Sequence, residues 1–106
     1  MINNKTLGLI GLATKAGKIS FGSDSVEEDI KRGKVKLLII VEDASERTRN
    51  KFVKISDEYK IPIILDGDIK EISKAIGKTN KAVIGVKDIG FAKAIQEKYN
   101  GGDTIG

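Results

Sequence analysis

Leu37-Leu38-Ile39-Ile40-Val41 is an unbroken apolar run rich in β-branched side chains, and it constrains the fold more than any other stretch of the chain. A half-exposed strand alternates apolar and polar residues, whereas an unbroken run of this length is a strand covered on both faces. It therefore belongs at the centre of a sheet sandwiched between two further layers. The run stops at Glu42 and Asp43. Asp43 followed by Glu46 has the spacing of a capping box, in which two side chains satisfy orphan amides at a helix start, so a helix is expected from Ala44. A charged pair at the C-terminal end of a buried strand also lies where open α/β sheets hold their ligands.

Around that strand the chain alternates helix and strand. Asn3 or Asn4 can cap a first helix that places Leu9, Leu12, Ala13 and Ala16 on one face and stops at Gly17, with Gly8 and Gly11 marking close packing. Residues 18–21 alternate with period two and read as a short strand ended by Gly22. Ser23, Asp24 and Ser25 are all good caps for a second helix of about two turns. Ser25 and Glu28 form a capping box there, Val26 and Ile30 supply the buried side, and Gly33 closes it.

After the central strand, Phe52, Ile55 and Tyr59 share a face of a helix of roughly four turns. Pro62 then opens a strand over residues 61–65. Asp68 with Glu71 caps a fourth helix that ends at Gly77. Residues 78–81 form a loop, residues 82–86 the last strand, and Asp88 caps the final helix. The expected fold class is α/β, a three-layer α/β/α sandwich with a small mixed sheet of about four strands. The short first strand is free to lie antiparallel at an edge.

A chain of 106 residues builds one core of ordinary size, here assigned to residues 1–100, and the glycine-rich residues 101–106 form a tail expected to fray. No apolar run approaches the ~20 residues of a membrane helix, and the N-terminus lacks an export signal, so a cytoplasmic protein with no membrane partner is expected. With no cysteine and no histidine, disulfides, thiolate metal sites, cysteine nucleophiles and histidine bases are excluded. The net charge of +4 and pI near 9.3 suit a phosphate-bearing partner without requiring one. Residues 1–36 carry seven Lys or Arg against four acids, residues 37–66 five against six and residues 67–106 seven against five, so the basic surface comes from the two ends of the chain.

Glu42 and Asp43 could hold magnesium, but a helix cap is the favoured reading. Neither a phosphate-cradling Gly-x-x-x-x-Gly-Lys-Ser/Thr motif nor a Gly-x-Ser-x-Gly nucleophile elbow occurs. No enzyme activity, metal or cofactor is expected. Gly22-Ser23-Asp24-Ser25 presents backbone amides and short polar side chains at a helix start, an arrangement that can meet a phosphate or a base edge. Glu27, Glu28 and Asp29 oppose an anion there, while Lys15, Lys18, Lys31, Arg32, Lys34 and Lys36 favour one. The residues alone leave a nucleic-acid site and a merely well-capped helix as equal readings.

The pieces in order resemble a known family. Gly22 opens the second helix, and Ile30-Lys31-Arg32-Gly33-Lys34-Val35-Lys36 leads into the central strand. Glu42-Asp43-Ala44-Ser45 follows it, then Ile61-Pro62, Ile72-Ser73-Lys74-Ala75-Ile76-Gly77-Lys78 and a late Gly90-Phe91-Ala92. From about residue 9 to residue 94 the chain resembles the ribosomal protein L7Ae family of kink-turn RNA-binding proteins, above all its small bacterial members.

The resemblance implies an α/β/α sandwich that binds the bend of a helix–internal-loop–helix RNA. A Gly-x-Asn-x-x-x-Lys helix start would enter the groove at tandem sheared G·A pairs, and the loop before the last strand would cover a flipped-out base. Those roles fall on Gly22, Asp24 and Glu28, and on the loop of Gly77, Lys78, Thr79, Asn80 and Lys81. Ser23 and Ser25 flank the helix start, and Lys18, Lys31, Arg32 and Lys34 complete the expected RNA-binding set. Asp24 in place of Asn keeps an acceptor and loses the amide donor. Glu28 in place of Lys exchanges a phosphate partner for a like charge, with Lys31, one turn on, as a substitute cation. The expected function is non-catalytic binding of structured RNA by a free monomer, in association with ribosomal RNA or other ribonucleoprotein components. The alternative is a protein-interaction or regulatory module on the same scaffold.

Overall fold

A computed structural model describes residues 2–101; the expected tail from residue 102 onward lies outside the described residues. The elements run α1 (Asn4–Lys15), β1 (Ile19–Phe21), α2 (Ser23–Lys31), β2 (Leu37–Ile40), α3 (Glu46–Glu58), β3 (Ile63–Leu65), α4 (Ile69–Ile76), β4 (Val83–Val86) and α5 (Ile89–Tyr99). They form a mixed four-stranded sheet in the order β1-β4-β2-β3. Strand β4 is antiparallel to both β1 and β2, whereas β3 runs parallel to β2. The run 37–40 is fully buried and sits between β4 and β3, as its uninterrupted apolar character requires.

The two faces of the sheet bury against different helices. Leu38, Gly85 and Ser20 are in register on one face, where Gly85 leaves room for the side chains of Val35 and Val26; a Cβ there would lie 3.0 Å from Val35. That is the face of α2, and α3 is tied beside it by the Lys51–Glu27 ion pair at 2.8 Å. Ile39, Ile64 and Ile84 are in register on the other face, and all three are buried. Helices α1, α4 and α5 pack together over it. Burying such a side chain stabilises the fold by about 1.5–3 kcal/mol before entropy is counted.

Several local expectations change in the folded chain. Helix α3 is capped by Ser45, which accepts from the Thr48 amide, and it begins after Asp43 rather than at it. The Ser25–Glu28 box does not form, because α2 already starts at Ser23 with Gly22 as its cap residue. In α1 the buried side is Thr6, Ile10 and Ala13, while Leu12 faces outward. Of its two glycines only Gly11 sits close to a neighbour, 3.2 Å from the Ala75 carbonyl measured at a Cβ position, and Gly8 faces open space. At the sheet edge, β3 buries Ile64 alone and exposes Ile63 and Leu65.

Candidate nucleic-acid interface

The start of α2 is built by its cap residue. Gly22 leaves β1 with φ 80° and ψ 161°, a backbone region open in practice only to glycine. Its N–H donates to the Val83 carbonyl at 2.9 Å, and its own carbonyl accepts from Val26 at 3.0 Å. The turn is thereby pinned to the beginning of β4 while the chain swings directly into helix. No side chain caps α2, so its first amides are available to an outside acceptor. Asp24 and Ser25 are exposed beside them and Ser23 is half-buried.

The loop before β4 meets this turn. Helix α4 ends on Gly77 in the left-handed conformation, φ 69° and ψ 30°, and Lys78 N–H returns to the Ser73 carbonyl at 2.9 Å. The Ser73 hydroxyl, itself buried, accepts from the Lys81 amide at 3.0 Å. One serine thus folds the loop back on the helix that leads into it. Lys78 Nζ lies 5.2 Å from the centre of the Phe21 ring. The Lys81 side chain runs 3.7–3.8 Å from the position a Cβ on Gly22 would take. Helix start and loop form one continuous surface.

Beside it lies a groove of about 520 Å³ lined by Asp43, Ile69, Lys74, Lys78, Thr79 and Asn80 among others. Asp43 shapes its far wall: the carboxylate accepts from the Ile69 amide at 2.8 Å, while Asp68 accepts from Glu71 at 2.7 Å. Asp43 therefore caps α4, 26 residues on, and not the helix that follows it in sequence.

The expected set does not all converge here. Gly22, Ser23, Asp24, Ser25, Gly77, Lys78, Thr79 and Asn80 share the surface. Lys31 and Arg32 lie at the far end of α2, a helix of nine residues and hence about 13 Å long. Lys31 pairs with Glu27 at 3.4 Å, and Arg32 with Glu28 at 2.7 Å. Lys31 thus stands about two turns from the helix start with its ammonium paired to Glu27, and Glu28 is paired with its own neighbour one turn on. Glu27 also accepts from Lys51. The Lys51 hydrogen bond, helped by Lys31 and opposed by partial burial, holds the Glu27 carboxyl below the ordinary range.

Lys18 and Lys34 lie at the opposite end of the sheet. The Lys18 carbonyl accepts from Lys87, just past the last residue of β4, and Lys34 precedes β2. Conversely, Phe21, Lys70, Lys74 and Asp43 belong to the surface, beside the expected Lys81, although no RNA-binding role was expected of them. The repeated lysine spacing at 70, 74, 78 and 81 is the signal in the sequence that could have found the cations.

A small α/β/α protein with an uncapped helix start and a lysine-bearing loop joined at one end of its sheet is the class these features define. The chain belongs to the Ribosomal protein L7Ae/L30e/S12e/Gadd45 family, whose model matches residues 4–96. It is 39% identical over 97 residues to the RNA-binding protein YlxQ of Enterococcus faecium, covering 92% of this chain and 93% of that one. Among solved structures, a protein of unknown function from Bacillus halodurans C superposes with a TM-score of 0.88 at 34% identity, over 92% of this chain and 99% of the other. The Giardia lamblia 15.5kD RNA binding protein shares the fold at 17% identity, with a TM-score of 0.78 over 93% of this chain and 91% of its own.

Proposed function

We propose that the protein is a non-catalytic RNA-binding protein that grips a sharply bent, kink-turn-like RNA with the α2 start and the loop of residues 77–81. The single observation that carries this reading is the junction of those two segments into one surface, with Lys81 lying along Gly22. Membership of a family with ribosomal proteins, and similarity to the RNA-binding protein of Enterococcus faecium, support RNA as the partner. The Gly22 turn lets the amides of α2 approach a backbone closely, and Asp24 offers acceptors to guanine donors. Lys78 and Lys81 supply phosphate contacts, and the groove against Asp43 and Ile69 receives a base turned out of the stack. Regular A-form RNA hides its base edges in a deep, narrow groove, so a bent, non-Watson–Crick site fits this shape better than a duplex does. We place the protein in the cytoplasm as a monomer joining ribosomal or other ribonucleoprotein assemblies. Among the described residues no helix is long and apolar enough to cross a membrane.

Titration against a kink-turn RNA and an unbent duplex of equal length tests the reading. The kinked RNA should bind at least tenfold tighter. With three to four lysine contacts, its affinity should fall by roughly two decades between 50 and 200 mM salt. Equal affinity for the two RNAs, or a flat salt profile, would reject the bend-binding mechanism in favour of a protein-interaction module on this scaffold.

A further inference from the structure

Lys18 and Lys34, left unused by the surface just described, belong to a second basic region at the other end of the sheet. A groove of about 430 Å³ lies there between the end of α2, the turn joining α3 to β3, and the first turns of α5. Its position is set by the strands: it opens at the start of β2 and β3, whereas Gly22 and the 77–81 loop stand at the end of β1 and the start of β4. The two surfaces are separated by the length of the sheet, about 13 Å for the four residues of β2.

We infer that this second groove binds a short single-stranded RNA segment, with Tyr59 as the stacking platform and Lys36, Lys60 and Lys93 as the phosphate contacts. Four observations support it. The lining includes three lysines and no carboxylate. Acids close by in the chain are otherwise placed: Asp88 caps α5 through the Phe91 amide, Asp29 accepts from Ser20 beside Lys87, and Asp57 and Glu58 on α3 and Glu97 on α5 flank lining residues without lining the groove.

Tyr59, 45% exposed, is among the described residues the one aromatic side chain outside the buried and half-buried classes. It faces the same groove as Ile89, 57% exposed, and Pro62. An aromatic face inside a cationic groove is the usual platform for successive bases of a single strand, tolerant of sequence because every base has a π-face.

Lys60 then occupies a left-handed position, φ 57°, just past the end of α3, where glycine is strongly preferred and a lysine is strained. Among the described residues neither Lys60 nor Lys93 forms an ion pair. A strained position that keeps an unpaired cation points to a use for the charge. Finally, Lys36 Nζ rests on the Gly33 carbonyl at 3.2 Å, and Lys18, Lys34 and Lys87 extend the positive surface along the sheet end, a track for a phosphate backbone. An acidic peptide is the competing occupant of such a groove, but Tyr59 within a lining of three lysines and no carboxylate favours a base-stacked polyanion.

The test is a fluorescence-anisotropy titration with labelled twelve-residue oligouridine, alone and with saturating kink-turn RNA. Binding is expected in both cases with the same affinity. Tyr59→Ala should weaken it by roughly tenfold, while kink-turn affinity stays unchanged. Lys60→Gly is the decisive variant: it should raise the thermal midpoint by relieving the left-handed backbone, yet lower oligouridine affinity. Lys60→Gly and Lys93→Gln should each reduce the slope of log affinity against log salt by about 0.7. Displacement of oligouridine by kink-turn RNA would place it in the first site and overturn the inference. Unchanged affinity and salt slope in the Lys60 and Lys93 variants would overturn it equally. Binding of an acidic Glu-Leu peptide with no binding of oligouridine would assign the groove to a protein partner instead. Loss of kink-turn preference with oligouridine binding intact would count against the first site alone.

Discussion

Gly22→Ala tests whether backbone geometry, rather than space, is what the α2 start demands. An added methyl group would lie 3.7 Å from Lys81 Nζ and 3.8 Å from its Cδ, ordinary contact distances, so crowding contributes nothing. The cost comes from φ 80° and ψ 161°, a region that side-chain-bearing residues reach at about 1–3 kcal/mol. Taking about 2 kcal/mol and the usual 4–8 °C per kcal/mol for a domain near this size, the melting midpoint should drop by roughly 8–16 °C. Asparagine makes the comparison sharper. It tolerates the left-handed helical region but not this one, so Gly22→Asn should be about as damaging as Gly22→Ala. At Gly77, φ 69° and ψ 30° with nothing within 4 Å, Asn should cost less than Ala, which itself should cost about 1 kcal/mol. Thermal melts followed by far-UV circular dichroism, with urea midpoints as a check, measure all four variants. A Gly22→Asn protein as stable as wild type would mean that the turn relaxes out of its glycine-only conformation at no cost, and that backbone geometry does not dictate glycine there.

Three further outcomes are expected. Asp43→Ala removes an acceptor from the Ile69 amide and should lower stability by about 1 kcal/mol, with faster amide exchange at Ile69 in α4 and no change at Thr48 in α3; fraying of α3 instead would show that Asp43 caps its own helix. Glu27 has its pKa lowered from an ordinary 4.5, so its contribution is fully present above that value and is lost as pH falls through the lowered one. Urea midpoints of wild type and Glu27→Gln should therefore differ at neutral pH and converge in acid, and a gap that widened in acid would contradict the Lys51 pairing. Glu28→Lys breaks the 2.7 Å pair with Arg32 and replaces a negative charge by a positive one on the proposed RNA face. Since an exposed charge contact is worth under about 1 kcal/mol and reversing its sign counts about twice that, kink-turn affinity at low salt should rise by roughly tenfold, with Glu28→Gln intermediate; an unchanged affinity in both would remove α2 from the RNA face.

The layers of this protein are legible from its amino-acid order alone. The buried run 37–40 had to be a central strand, and the alternation of periodic helices with short apolar strands left a sandwich as the way to cover it. Most helix limits were equally legible, because Asn3, Asp68, Asp88 and Gly77 act on amides and carbonyls within a turn of themselves. The same local logic failed at Asp43 and at Ser25. A capping box is only a spacing until the chain shows which amide is unsatisfied, and the folded chain presented Asp43 with Ile69 rather than its own helix. The candidate RNA surface is half legible in the sequence: Gly22 and the 77–81 loop do meet, whereas Lys18 and Lys34, near Gly22 in the chain, stand at the other end of the sheet. Only tertiary structure could separate them. β1 carries Lys18 and Gly22 to its two ends, and the antiparallel pairing of β1 with β4 sets Lys18 beside Lys87 and Gly22 beside Val83. Neighbourhood along a strand becomes distance across the molecule, because an extended chain advances about 3.3 Å with every residue.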